Sequence, residues 1–131
     1  MSRTTIDFGI DLGTTNSAIA LLKGTDTQII QNNDHQDITS SAVFIDKNGQ
    51  QQVGVRAKSA LEREKSAQDV YIEFKRLMGT DHKYQFKNSG RVMTPEELSA
   101  EVLKSLRGDV QQRLGEDVQA AVITVPAAFE Q

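Results

Sequence analysis

FGIDLGTTNS, residues 8–17, sets two glycines, one acid, three hydroxyl residues and an amide between apolar runs. Ile6, Phe8 and Ile10 alternate with Asp7, Gly9 and Asp11, the two-residue period of a strand. SAIALL (17–22) and TQIIQ (27–31) follow, separated from it and from each other by the turn-rich LGTTN and KGTD. Three consecutive antiparallel strands are predicted, with the quoted stretch as the first strand and its turn. Two readings of that turn are open. Gly, Thr and Asn suit a plain hairpin through their backbone preferences. The same residues suit a phosphate cradle: Gly13 admits close backbone approach, and Thr14, Thr15 and Asn16 can add donors. Asp11 would repel phosphate, but it fits beside Mg²⁺, which favours carboxylate, water and phosphate oxygens. The stretch matches neither GxxxxGK[ST] nor a GxGxxG that opens a helix.

Outward from the hairpin, NNDHQD (32–37) reads as a loop and SAVFI (41–45) as a strand. Asn48-Gly49 closes that strand with a turn, and a short strand is expected around Val53. LEREK (61–65) reads as an exposed helix face. Val70, Phe74, Leu77 and Met78 recur at helical spacing and predict a helix that stops at Gly79. TPEELSAEVLKSLRGDVQQRLG (94–115) carries fuller punctuation. Thr94 is the N-cap, Pro95 takes the first helical position, and Glu97 completes a capping box. Leu98, Val102, Leu106, Val110 and Leu114 make the stripe, and Gly115 ends it. VQAAVITVP (118–126) is apolar on both faces and predicts a strand covered on both sides. The pattern is an α/β mixed sheet with packed helices, plus a small accessory subdomain in the middle. VPAAFEQ ends close after that strand, so the expectation is a piece of a longer protein.

The totals exclude several function classes. A chain of 131 residues can bury one ordinary core. A net charge of −3 without a basic run argues against nucleic acid as the main partner. The absence of cysteine excludes disulfide and thiol chemistry. The apolar runs are far too short for a membrane span, and MSRTTIDF lacks a secretory pattern, so the sequence reads as soluble and cytoplasmic.

Outside the hairpin, Lys75 could stabilise charge developing in phosphoryl transfer. The other reading of Lys75 and Arg76 is a solvated basic pair opposite an apolar stripe. His35 and His82 have no partner at metal-ligand spacing and read as loop residues.

Three ordered motifs, GIDLGTTNS (9–17), FKRLMG (74–79) and AVITVPAAF (121–129), resemble the seventy-kilodalton heat-shock chaperones, the DnaK-type family. TSSAVFI (39–45), VGVRAKSA (53–60) and LSAEVLKSL (98–106) fit the same template, so the resemblance covers nearly the whole chain. The short segment between Gly79 and Thr94 is similar to the compact HscC-like branch. The resemblance implies the first lobe of a two-lobed nucleotide-binding domain with a ribonuclease H-like fold, shared with actin and sugar kinases. Residues 1–38 with 95–131 would be its base subdomain and 39–94 its upper one. It implies ATP or ADP and Mg²⁺ as cofactors. Gly13, Thr14, Thr15 and Asn16 would form the first phosphate loop, with Thr15 near the γ-phosphate. Asp11 would hold the metal through water, Lys75 would be the catalytic lysine, and Pro126 would relay nucleotide state to a peptide-binding domain. It further implies peptide clients, a J-domain cochaperone and a nucleotide exchange factor as partners, with no nucleic acid and no membrane.

The sequence departs from the family at three places: members commonly have glycine at His35, proline at Ser40 and tyrosine at Ala128. Two other function classes compete. A sugar kinase of the same superfold also uses a D-x-G-T-T loop, and a lobe without catalysis could dock partners only. FKRLMG and VITVPAAF oppose the first, and Asp11, Thr14, Thr15 and Lys75 together oppose the second.

Overall fold

A computed structural model describes residues 5–63 and 67–124. Along the chain run β1 (Phe8–Leu12), β2 (Asn16–Lys23), β3 (Asp26–Ile29), β4 (Thr39–Ser40), β5 (Ala42–Ile45) and β6 (Gln51–Val53). Then come α1 (Val55–Ser59), β7 (Val70–Ile72), β8 (Tyr84–Gln85), β9 (Val92–Met93), α2 (Pro95–Leu114) and β10 (Val122–Thr124). Single 3-10 turns span Ala60–Glu62 and Phe74–Leu77.

Strands β1, β2 and β3 form the antiparallel ladder that the alternation predicts, with Phe8 opposite Leu21 and Ile10 opposite Ile19. β10 joins the outer edge of β1 in parallel, and β4 pairs with the start of β2. The mixed sheet therefore has the order β10-β1-β2-β3. Its alternation decides its faces. Phe8, Ile10, Leu12, Ile19 and Leu21 point into one core with Leu98, Val102, Leu106 and Val110 of α2. On the opposite face stand Gly9, Asp11, Ala18, Ala20, Leu22, Ile29 and Val122, which line an open groove of about 430 Å³.

α2 follows its sequence punctuation closely. The Thr94 hydroxyl accepts from the Glu97 backbone N–H at 3.1 Å, and Thr94 N–H donates to the Glu97 carboxylate at 2.9 Å. Gly115, at φ 66°, ends the helix in the left-handed conformation that glycine adopts without strain.

The middle segment builds a second sheet of order β6-β5-β7. β5 is buried throughout: Val43 and Ile45 face the main core, while Ala42 and Phe44 pack with Ala57, Ala60 and Val70. The strand covered on both sides is thus β5. β10, predicted for that place, is an edge strand whose three residues are exposed, Val122 at 52 % and Ile123 at 46 %.

The predicted helix over 70–79 is also corrected. Val70, Tyr71 and Ile72 pair with Phe44, Val43 and Ala42 as β7. Glu73 then adopts φ 53°, and only one 3-10 turn follows. β-branched and aromatic residues with a waiting partner strand favour extension over helix. The helical spacing of Val70, Phe74 and Leu77 is produced by a strand followed by a tight turn. LEREK begins in the Ala60–Glu62 turn rather than a regular helix, and residues 64–66 lie outside the described residues. The β8–β9 hairpin has no counterpart in the predicted pattern; Tyr84 of β8 stacks 4.7 Å from Tyr71.

His35 has φ 58°. This is the conformation in which glycine is free of strain, which accounts physically for glycine being common there in the resembling family. Its Nδ1 lies 3.0 Å from the Arg113 guanidinium.

Candidate functional site

The first strand ends at Leu12 and the second starts at Asn16, so three residues make the turn. Its tightness comes from Gly13: a Cβ there would lie 2.2 Å from the Asn16 carbonyl oxygen. No side chain tolerates that approach, so glycine is required here by close packing rather than by a positive φ.

The turn is anchored from behind. The Ser41 hydroxyl donates to the Gly13 carbonyl at 2.9 Å, and the Ser41 N–H donates to the Thr15 carbonyl at 2.9 Å. Ser17 and Ser41, both buried, have their hydroxyl oxygens 2.9 Å apart. A serine hydroxyl has one proton. Since Ser41 gives its proton to Gly13, Ser17 is the donor in that pair. Thr15 and Asn16 are exposed, and Thr14 is half-buried. The two anchored carbonyls of the turn are therefore tied inward while its side chains face out.

Asp11 sits two residues before Gly13, exposed on the open face, where its register partner on β10 is Thr124. Both strands run parallel, so Asp11 lies toward their carboxyl ends, the usual location of ligands on such sheets.

Lys75 lies in the Phe74–Leu77 turn and is only 2 % exposed. The solvated-pair reading therefore fails for Lys75 and holds for Arg76, which is exposed and pairs with Glu73 at 3.0 Å. Burial pushes the Lys75 ammonium below its ordinary value, and the charge of Asp11 opposes that shift. Asp11 and Lys75, 64 positions apart in sequence, thus share one electrostatic neighbourhood.

A single carboxylate suits an ion that keeps most of its waters, which is how Mg²⁺ commonly binds beside phosphate. Among the described residues no group of three or more His, Cys, Asp or Glu could form an all-protein metal cage. Asp11 therefore fits Mg²⁺ held through water and phosphate oxygens. Pro126 and Ala128 lie outside the described residues.

Sequence reading missed Ser17 and Ser41 as anchors, because nothing local marks a contact made across 24 positions. It also missed Asp109, which lies on the buried, mostly apolar side of α2 and is 4 % exposed. Asp109 borders a polar cavity of about 340 Å³ with Asn32, Asp34, Thr39, Arg56 and Ser105. Its Oδ2 has no hydrogen-bond partner among the described residues. Burial pushes its carboxyl up to about 6, against the opposing charge of Arg113.

Among known proteins, the sequence model of the family described as Hsp70 protein matches residues 7–131.

Proposed function

The chain belongs to the Hsp70 family, and from that premise we propose that it is the first lobe of the ATPase domain of a compact, HscC-like chaperone. Family membership makes it part of a nucleotide-binding chaperone ATPase, with a mixed α/β architecture compatible with the actin-like fold. The finer reading is a ribonuclease H-like lobe, with 1–38 and 95–131 as base subdomain and 39–94 as upper subdomain.

The observation that supports the proposal is the burial of Lys75 within the electrostatic reach of Asp11, which stands two residues before the Gly13–Asn16 turn. Backbone N–H groups at Thr14, Thr15 and Asn16, with their side chains, would hold phosphate oxygens of ATP. Thr15 would stand next to the γ-phosphate. Asp11 would orient the waters around Mg²⁺, which when bound neutralises phosphate charge. Lys75 would position the attacking water and the γ-phosphate. A cation in a water-poor site acts more strongly on developing charge than a solvated one. Pro126 would relay nucleotide state toward a peptide-binding domain, coupling hydrolysis to release and capture of extended peptides. A J-domain cochaperone and a nucleotide exchange factor would tune that cycle in the cytoplasm.

Phosphoryl transfer needs charge stabilisation from several directions, and one lobe supplies a part of it. The chain alone should therefore fold yet hydrolyse ATP negligibly, while the intact protein binds Mg-ATP in calorimetry and turns it over. Lysine-dependent turnover by the pure 131-residue chain would contradict the single-lobe reading. No calorimetric binding by the intact protein would favour a docking module, and phosphorylation of a sugar would favour a kinase.

A further inference from the structure

We infer that Ser41 is a positioning residue for phosphate recognition, converting the Gly13–Thr15 turn from a mixed polar surface into a donor surface. The inference rests on the phosphate-loop reading above and adds to it the group that holds the loop in its binding form.

A tight turn exposes carbonyl oxygens as readily as N–H groups. A phosphate approaching it meets attraction from N–H and repulsion from carbonyl lone pairs. Gly13 O and Thr15 O are two of the three carbonyls in this turn, and both accept from Ser41, each at 2.9 Å. One side chain and one N–H of a single residue thus take both repulsive groups out of the ligand's path. The proton count fixes the arrangement. Ser41 has one hydroxyl proton, given to Gly13, and its oxygen accepts from Ser17. Ser41 is 2 % exposed, so water does not compete for these contacts.

The placement of Ser41 is itself determined by sheet pairing. Thr39 and Ser40 form β4 on the start of β2, with Ser40 opposite Asn16 and Thr39 opposite Ser17. Ala42 then begins β5 of the second sheet. Ser41 is the single residue between the two strands, and so stands where the two sheets meet behind the turn. A shift of the upper sheet relative to the hairpin would move Ser41, and through it the two carbonyls.

The test uses the 131-residue chain, with pyrophosphate and Mg²⁺ as the probe and the Thr14, Thr15 and Asn16 amide resonances as the readout. The unmodified chain should give saturable shifts. Ser41→Ala should weaken the affinity about tenfold or more, and Ser41→Thr, which keeps the hydroxyl, should recover most of it. Val110→Ala, a cavity in the α2 core far along the sequence, is the control for lost stability. It should lower the melting temperature at least as much as Ser41→Ala and leave the affinity unchanged. If the unmodified chain binds and Ser41→Ala binds equally well, the Ser41 inference is wrong. The same follows if Val110→Ala weakens binding as much as Ser41→Ala does. If the unmodified chain gives no saturable shift, the phosphate-loop reading fails and the inference falls with it.

Discussion

Lys75 and Asp109 are both buried ionisable side chains, 2 % and 4 % exposed, and burial moves them in opposite directions. It pushes the Lys75 ammonium down and the Asp109 carboxyl up to about 6, because each environment disfavours the charged form. Each also has a neighbour that opposes the shift: Asp11 for Lys75, Arg113 for Asp109. The electrostatics are mirror images, yet the surroundings differ. Lys75 feels the charge of an exposed carboxylate, Asp11, which stands two residues before a glycine turn whose Gly13 and Thr15 carbonyls accept from Ser41. Asp109 faces the 32–39 loop across a polar cavity, with Arg56 and Asp34 3.4 Å apart at its side. A perturbed group marks a candidate site only when its surroundings supply the other parts of a reaction.

The largest effect that separates the two is on turnover. In the intact protein, Lys75→Ala should lower ATP hydrolysis by about 10²–10³, the usual loss when one preorganised electrostatic contact is removed. Asp109→Asn should leave the rate within twofold. A steady-state assay of both variants checks this. Equal losses would mean that the two buried charges are not functionally distinct.

Stability should reverse the ranking. The Asp109 carboxyl titrates at about 6 when folded against 3.8 in the unfolded chain. The fold therefore prefers the neutral acid, and its penalty grows as pH rises from about 4 to about 6 and is complete above that. A difference of about 2 pH units corresponds to about 3 kcal/mol as an upper bound. Asp109→Asn should recover up to that amount at pH 7 and almost none at pH 3.5, as read by urea unfolding. A variant as unstable as the unmodified chain at pH 7 would mean that the buried carboxylate is fully compensated.

A smaller, uniform effect gives the baseline. Thr94→Ala removes the side-chain half of the α2 capping box and should cost about 1 kcal/mol at every pH. It lies at the opposite end of α2 from Asp109, so the pH dependence should be unchanged. A pH-dependent loss would show that Asp109 responds to the whole helix rather than to its own neighbours.

These three residues were unequally legible in the sequence, and the reason is range. Thr94 was readable because a capping box is closed within four residues, and Gly13 because a turn declares itself locally. Lys75 read either way from its own segment. The strand at Val70–Ile72 that delivers it exists only because β5 is there to pair with it, so spacing within 70–79 pointed to a helix instead. The family resemblance, built on motifs far apart, assigned Lys75 where periodicity could not. Asp109 and Ser41 gave no signal, since burial of one and the contacts of the other are made across the fold. The exposed β10 shows the same limit in reverse. Its apolar residues announced burial, yet both are exposed, Val122 on the open face with Ile29 and Leu22 and Ile123 on the other face beside Ile10.

The smallest effects test the mirror symmetry itself. Asp11→Asn removes the charge that holds the Lys75 ammonium up, so its titration should move further below the ordinary lysine value. Arg113→Gln removes the charge that holds the Asp109 carboxyl down, so its titration should move above about 6. Both can be read from side-chain ¹⁵N and carboxyl ¹³C resonances over a pH series. Arg113 also donates to the backbone carbonyls of Gln31 and Asn32, so its removal loosens the loop that covers Asp109. A loosened loop admits water and lowers the carboxyl's titration, against the charge effect. An upward shift therefore means that the Arg113 charge dominates, and a downward one that its role is to close the loop. Asp11, exposed on the open face, has no comparable covering role. A shift of Lys75 in the wrong direction on Asp11→Asn would mean that the two side chains do not share a site.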